Sequence, residues 1–538
     1  MARRDRPARP SNSRAAGVRA ARPSLRASTR RVVRPLGPPT DEIATWTGPD
    51  GVDRATAQAV IDLAMRAGVA MLSTGAAAAD VTATVLLLTK AYGLASVHVD
   101  VTYTSITVSY HRGPHADPMT VMRIVAFRSQ DYTRLERLRE LVVELTQSPV
   151  PVDDARVLFD GVIGSPHPYR RWVVTTAGGV LAAGAAALVG GGAVIVLISF
   201  LTALVVGRVL AWLTGAGVAS FFAQSVGAAI PTVVATLVVV AQSAGVGFVA
   251  DVSPSLVVAS GIVLLLSGMS VVGAAEDALE GYYVTAGARA FEVVVLSLGI
   301  AVGVSAVLSL GQRLGFPIAI SERTYLASDV VVQVVSAVAI SVAFAVMSFA
   351  RGRVVAVAGV AGGLGWVVLA VGERALSLGS ITSSAFAAAL VGFAARVVAK
   401  RLGVSALAVT TAAIVPLLPG RLAYQGISQV VTQPDETGVS SGLSTLAQAF
   451  GTGLGLAAGV AMGTYFAGLL QAKRQGVRPR PAAAATLRAT SETRINTSAI
   501  LSDTGELPVV QRQAPLPPPS SDTDLDLDPT ADRPTDAP

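Results

Sequence analysis

The sequence predicts a multi-pass, all-α membrane protein of about ten transmembrane helices, built as two five-helix inverted repeats with an N-terminal cytosolic α/β domain. Of the 538 residues, 52% are hydrophobic and 14% charged, whereas soluble domains carry roughly 25% charged residues. The charge deficit is concentrated between Trp172 and Ala472, where only 21 of 301 residues are charged. A similarity between the two halves of this block predicts the repeat.

Both ends of the chain are polar and predict disordered tails, over residues 1–50 and 473–538. The first 40 residues contain eleven Arg and no aromatic residue, which favours an extension facing anionic lipid over a nucleic-acid-binding segment. The start of the chain lacks the apolar core of a secretory signal, so we expect the first spans to direct insertion. The absence of Cys excludes disulfides and thiolate metal sites.

Residues 51–171 predict the α/β domain from their periodicity and capping residues. The predicted elements are a helical region over 55–92 broken near 73–75, strands over 94–110 and 120–127, and helices over 131–146 and 152–163. All four histidines lie here, but His111 and His115 are expected to flank a turn at Gly113-Pro114, so no metal site is predicted. A hydrolase triad is not favoured either, because no G-x-S-x-G motif is present.

Ten stretches of the following block are apolar and long enough to span a bilayer of about 30 Å. They are 172–189, 193–213, 224–244, 254–273 and 288–310 in a first half (172–310), then 328–350, 353–371, 381–399, 403–419 and 445–470 in a second half (328–472). Residues 311–327 link the halves. With the N-terminus inside, cytoplasmic junctions hold thirteen Arg and Lys against four outside, so the positive-inside rule predicts cytoplasmic termini in a bacterial cell membrane.

The two halves resemble each other at an offset of 152 residues. Residues 262–268 lie over 414–420, and Gly299 and Gly303 lie over Gly451 and Gly455. Because each half has an odd number of spans, the second copy must insert upside down, as in many secondary transporters. The alternative is two independently Gly-rich helix sets.

Short motifs in both parts of the chain are similar to one family. The helix containing Ala64-Met65-Arg66-Ala67-Gly68, which runs on through Ser73-Thr74-Gly75-Ala76, resembles the first part of the threonine/serine exporter family. The segment Val415-Pro416-Leu417-Leu418-Pro419-Gly420, followed by Tyr424-Gln425-Gly426, resembles the second part. The resemblance covers residues 55–470 and implies export of threonine, serine or a related metabolite. Members of the family also include proteins associated with dicarboxylate export.

Charged and polar groups within spans are the first candidates for the transport site. Glu292 lies in the fifth span three residues after Arg289, a spacing at which the two could pair; it is a candidate proton-coupling carboxylate or ammonium receptor, or half of a structural pair. Asp329 and Gln333 share a face of the sixth span, where Asp329 is expected to cap the helix or to take part in transport. Glu276, Asp277 and Glu280 are expected in a solvated loop, with a re-entrant segment as the alternative.

Pro416 and Pro419 are expected to break the ninth span before Gly420, because proline removes a backbone donor from a helix interior. Broken helices expose backbone groups that can hold carboxylates or ions, and Arg421 could bind a carboxylate with two hydrogen bonds. A simple helix end is the alternative.

These observations predict a secondary transporter rather than an enzyme, with an amino acid and protons as its ligands and the bilayer as its environment. No P-loop is present, and no cofactor, metal or nucleic acid is expected; a homo-oligomer is compatible with the sequence. The rivals are a dicarboxylate exporter, a membrane-anchored sensor or hydrolase acting through the cytosolic domain, and a passive channel.

Overall fold

The computed structural model describes residues 52–111, 117–125, 130–265, 268–316, 329–420, 422, 425–426, 429–430 and 436–474. The tail 1–50, the chain beyond residue 474, most of the linker 311–327 and the candidate Arg421 lie outside these described residues. The N-terminal elements are α1 (Arg54–Ser73), α2 (Ala78–Ala91), β1 (Val97–Val101), β2 (Ser105–Tyr110), β3 (Met119–Ile124), α3 (Tyr132–Gln147) and α4 (Val152–Ile163). We call residues 52–163 the α/β segment.

The strands of the α/β segment form one antiparallel sheet in the order β1-β2-β3. The alternate β2 residues Ile106, Val108 and Tyr110 are buried, and the sheet packs against α1 and α2. Gly68 permits a close approach, since a Cβ there would lie 3.1 Å from Val85 Cγ2 on α2. The helices and strands lie close to their predicted positions.

The rest of the described chain is helical. Its α-helices are α5 (Arg171–Leu188), α6 (Ala193–Gly215), α7 (Ser220–Ser243), α8 (Pro254–Ile262), α9 (Gly268–Leu279), α10 (Tyr283–Arg313), α11 (Val330–Met347), α12 (Gly352–Arg374), α13 (Ser380–Leu402), α14 (Ala406–Ile414) and α15 (Glu436–Arg474). We call α5–α15 the membrane block.

Within the described residues, nine helices are long and apolar enough to cross a membrane. Eight of them overlap predicted spans: α5, α6, α7, α10, α11, α12, α13 and α15. The ninth is α1, whose apolar surface is covered by α2, α3, α4 and the sheet. The hydropathy of α1 is therefore that of a protein core.

The outer surface of the membrane block exposes many large apolar side chains. Along α6, Leu197, Leu201, Val205 and Trp212 are all more than half exposed and share one face of the helix. A contiguous apolar patch of this kind is rare on a soluble monomer but normal against hydrocarbon. This face of α6 therefore contacts lipid.

The fourth and ninth predicted spans are broken rather than continuous helices. Both α8 and α14 have nine residues, which at 1.5 Å per residue reach less than half of a bilayer core of about 30 Å. After α14 the chain forms a 3-10 turn over Val415–Leu417. The first helix of each broken span is therefore too short to cross a membrane by itself.

The long helices pack through small residues, as the abundance of Gly and Ala predicts. A Cβ at Gly303 of α10 would overlap the Ser225 carbonyl of α7, and a Cβ at Gly459 of α15 would overlap the Ala385 carbonyl of α13. Similarly, α5 packs on α6 and α8 while α11 packs on α12 and α14, and α5 packs on α11. The backbones thus approach closely where a larger side chain would separate them.

The α/β segment is packed directly on the membrane block. Leu138 of α3 belongs to the same buried apolar cluster as Val354 of α12 and Val409 of α14. Hydrogen bonds add to this contact: the Tyr132 amide donates to the Ser348 carbonyl at 3.0 Å, between α11 and α12. The α/β segment is therefore in direct contact with the helices that surround the second break.

Candidate functional site

The first helix break follows Ile262 and is bordered by the amide side chain of Gln224 on α7. The Gln224 Nε2 group donates to the Leu265 carbonyl at 3.5 Å. Its Oε1 atom is buried and has no hydrogen-bond partner among the described residues. Because a buried acceptor without a partner loses hydration without compensation, this oxygen is a candidate ligand for a substrate ammonium or hydroxyl group.

The second break lies where the sequence predicted it, at Pro416. The Gly420 amide donates to the Leu418 carbonyl at 2.8 Å, so regular helical hydrogen bonding has ended. Ser341 Oγ of α11 is also buried without a hydrogen-bond partner in the part of the chain that the structure describes. It lies against Gly362 of α12, where an added Cβ would come 3.4 Å from the Ala413 carbonyl. A second unpaired polar oxygen therefore borders the last turn of α14.

The sixth-span candidates have structural partners. Asp329 caps α11, since the Val331 amide donates to its Oδ1 at 2.8 Å, which confirms the capping interpretation. Gln333 is fully buried and accepts a hydrogen bond from Trp366 Nε1 at 3.1 Å. Gln333 and Trp366 thus tie α11 to α12 beside the second break.

The pairing expected between Arg289 and Glu292 is not found among the described ion pairs. Arg289 Nε instead lies 3.1 Å from Asp277 Oδ2, and Asp277 is completely buried. Glu292 accepts a hydrogen bond from the Tyr103 hydroxyl of the α/β segment. Arg289 and Glu292 therefore have different partners. Spacing along one helix could not predict these partners, because they lie in α9 and in the α/β segment.

Two members of the acidic cluster, Glu276 and Asp277, lie in a helix rather than in the predicted solvated loop, whereas Glu280 is an exposed turn residue. Glu276 and Asp277 are in α9, which the α/β segment covers, and the Ala78 amide at the start of α2 donates to Asp277 Oδ1 at 3.5 Å. Glu276 follows the fourth predicted span and faces the α/β segment. Burial, together with the negative charges of Asp80 and Asp277, raises its pKa to about 7, although Arg289 acts in the opposite direction.

The described residues contain no group of three or more His, Asp or Glu side chains arranged to hold a metal ion. His98 and His111 contact each other edge to face, with ring centroids 5.4 Å apart. Neither lies in the membrane block.

Three side chains of the site were not singled out by the sequence: Gln224, Ser341 and Trp366. Gln224 offered a weak signal, since an amide at the start of an apolar span is unusual. Ser341 offered none, because only the tertiary structure distinguishes a serine without a partner from one that bonds to its own helix. Of the predicted residues, Gln333 and Pro416 lie around the second break with Ser341, whereas Arg289 and Glu292 lie at the α/β interface.

Comparison with known proteins identifies the family. Residues 62–311 match the family model described as "Putative threonine/serine exporter", and residues 333–462 match that described as "Threonine/Serine exporter, ThrE". The chain is 35% identical over 428 residues to the "Probable threonine/serine exporter" of Mycobacterium tuberculosis, which covers 78% of this chain and 79% of the relative. It is 31% identical over 421 residues to the threonine/serine exporter of Corynebacterium glutamicum, covering 78% and 84% respectively. No solved structure matches the chain.

The two family models together cover most of the α/β segment and of the membrane block, including its long apolar helices. The chain therefore belongs to the threonine/serine exporter family, whose members are bacterial multi-pass membrane transporters and not enzymes.

Proposed function

We propose that this chain exports threonine, serine or similar small polar metabolites as a secondary transporter driven by the proton-motive force. The observation that carries the proposal is the pair of buried oxygens without partners among the described residues, Gln224 Oε1 and Ser341 Oγ, one beside each broken helix. In a membrane interior a polar atom that makes no hydrogen bond is costly. A polar substrate bound between the breaks would supply the missing bonds.

The proposed site sits at the junction of two inverted five-span repeats, α5–α10, in which α8 and α9 form one broken span, and α11–α15. In support, α8 and α14 have the same length and begin and end at positions offset by 152 residues. The packing of α7 on α10 is matched by that of α13 on α15. Rocking of one repeat against the other would expose the site alternately to each side.

The amino acid requires two kinds of receptor. Its carboxylate is assigned to backbone N–H groups of the Pro416–Gly420 break and to the predicted candidate Arg421, while Pro416 and Pro419, which lack an N–H, break the helix there. Its ammonium and hydroxyl groups are assigned to the oxygens of Gln224 and Ser341, because only acceptors can satisfy an ammonium. Gln333, which accepts a hydrogen bond from Trp366, holds α11 and α12 together beside the proposed substrate site.

Proton coupling is assigned to the cytoplasmic side, where Glu292 meets Tyr103 and Arg289 meets Asp277. The distribution of Arg and Lys favours a cytoplasmic location for the α/β segment and both termini. Protonation of a carboxylate at this contact would change how α10 is held by the α/β segment. That change is the proposed link between the proton gradient and transport.

The test is transport of radiolabelled threonine by the full chain in proteoliposomes with an imposed pH gradient. Gln224→Leu and Ser341→Ala are each expected to lower transport about five- to thirtyfold, the effect of losing one to two hydrogen bonds of about 1 kcal/mol each. Ser225→Ala is the matched control, since its hydroxyl bonds to the Phe221 carbonyl of its own helix at 3.0 Å. Glu292→Gln is expected to abolish the response to the pH gradient.

Wild-type transport by both Gln224→Leu and Ser341→Ala would show that the substrate does not bind at the helix breaks. Threonine flux through the wild type that does not depend on the pH gradient would indicate a channel instead. Transport of succinate but not of threonine would assign the chain to dicarboxylates.

A further inference from the structure

A cavity lies outside the membrane block, in the α/β segment. It has a volume of about 330 Å³ and opens between α1, β3, α3 and α4. Three guanidinium groups line it, those of Arg66, Arg123 and Arg134. Ligand pockets begin at roughly this size, so the cavity can hold a small metabolite.

Two of these arginines, Arg66 and Arg123, are accessible to a ligand. The side chains of Arg66 and Arg123 are 37% and 39% exposed, and both pair with Asp62. Ion pairs in such partly exposed positions contribute little to stability, so a ligand carboxylate can replace them at low cost. Arginine suits this ligand, because its planar guanidinium forms two parallel hydrogen bonds to a carboxylate.

The same cavity offers acceptors for an ammonium group. Asp160 lines its wall, pairs with Arg66 at 3.2 Å and is 60% exposed. The Ser73 hydroxyl donates to the Ala70 carbonyl at 2.9 Å, so the lone pairs of its oxygen remain available. Val69 and Ile163 supply an apolar wall for a short side chain.

We propose that this cavity binds a cytosolic α-amino acid, with the carboxylate on Arg66 and Arg123 and the ammonium on Asp160 and Ser73. The site is separate from the transport path and would let the transporter sense the cytosolic level of its substrate. The choice of an amino acid as ligand rests on the proposed function. The requirement for a small carboxylate with a nearby cation follows from the cavity itself.

The cavity is connected to the membrane block through α3. Asp131 accepts a hydrogen bond from the Arg134 amide at 2.9 Å, and its other oxygen lies 2.9 Å from His167 Nδ1. The His167 ring stacks on Phe349 in the α11–α12 turn, with centroids 4.4 Å apart. Phe349 has a φ of +55°, a conformation that costs free energy for a residue other than glycine. A ligand in the cavity lies beside Arg134 and therefore acts close to a turn that is held in a strained conformation.

The experiment is hydrogen–deuterium exchange on the full chain in lipid nanodiscs, with and without L-threonine. At a ligand concentration about ten times Kd, exchange in peptides from α1 and from the start of α3 is expected to slow about tenfold. Val69→Phe, which narrows the cavity without removing a charge, and Arg66→Gln combined with Arg123→Gln are expected to abolish this protection. Arg54→Gln, an exposed position at the start of α1, is the control that should retain it.

Protection that persists in Val69→Phe and in the double arginine variant, or protection confined to the membrane helices, would overturn the proposal. Protection of α1 by succinate but not by threonine would overturn the amino-acid assignment. None of these outcomes affects the proposed function, which is measured separately by threonine transport in proteoliposomes. If transport fails in the wild type while α1 is protected, the proposed function is wrong and the binding site stands.

Discussion

The α/β segment and the membrane block bury different kinds of side chain. Among the described residues, most of the largest side chains with almost no exposure lie between Ile61 and Phe159, in the α/β segment, although Ile262 and Leu456 of the membrane block are as deeply buried. The membrane block instead buries mainly small residues at its helix contacts, with Gly303 and Gly459 set against backbone carbonyls. Water drives large apolar groups inward, whereas lipid gives no such drive and close backbone packing replaces it.

Replacing a contact glycine of the membrane block is expected to have the largest effect. Gly303→Leu cannot fit against the Ser225 carbonyl, so α10 and α7 must separate and the folded yield should collapse. Gly207→Leu on α6 is the matched control, because no described atom lies within 4 Å of a Cβ at that position. The measurement is the monodisperse fraction of the purified protein by size-exclusion chromatography. Equal yields of the two variants would contradict this account of packing in the block.

Truncating a large core side chain of the α/β segment should have an intermediate effect. Leu138→Ala leaves a cavity at a position with no exposure, and such changes cost about 2–5 kcal/mol. Leu197→Ala, on the exposed face of α6, removes the same atoms from lipid contact and should cost much less. Thermal unfolding of both variants in the same detergent compares them. If Leu197→Ala lowered Tm as much as Leu138→Ala, the exposed face of α6 would not be a lipid surface.

The smallest effect is expected at the contact between the two regions, from Glu276. Its raised pKa of about 7 means that the folded protein holds a proton there that the unfolded chain releases near pH 4.5. The contribution of Glu276 to stability is therefore greatest at low pH and is lost as pH rises from about 4.5 to about 7. Tm of the wild type should fall more between pH 5 and pH 7.5 than Tm of Glu276→Gln.

Glu144→Gln, an exposed position on α3, is the control and should follow the wild type across this range. An identical pH response in the wild type and in Glu276→Gln would show that this carboxylate is not the group that titrates.

The second break was predictable from sequence and the first was far less so. Pro416 marks the end of α14 by its chemistry alone, and α14 indeed ends two residues before it. The break after Ile262 contains no proline, and the sequence predicted a continuous span over 254–273 there. Sequence could also place Asp329 as a helix cap, because capping depends on residues two or three positions apart.

Partners far apart in the chain were beyond the reach of sequence patterns. Tyr103 and Glu292 are separated by 189 residues, and nothing in the sequence around either residue predicts the other as its partner. The same holds for Ser341, whose lack of a described partner depends on how α11, α12 and α14 pack. A spacing of three within one helix suggested Arg289 with Glu292, but Asp277 on α9 is the partner that packing provides.

The sequence by itself determined that this chain belongs in a bilayer, where most of its long helices run and to which family it belongs. These properties follow from hydropathy, periodicity and short motifs, all of which act locally along the chain. Only the tertiary structure decided which polar atoms meet: Asp277 with Arg289, Glu292 with Tyr103, and Gln224 and Ser341 with no described partner. Those pairings depend on the distances between packed helices, which no local pattern records.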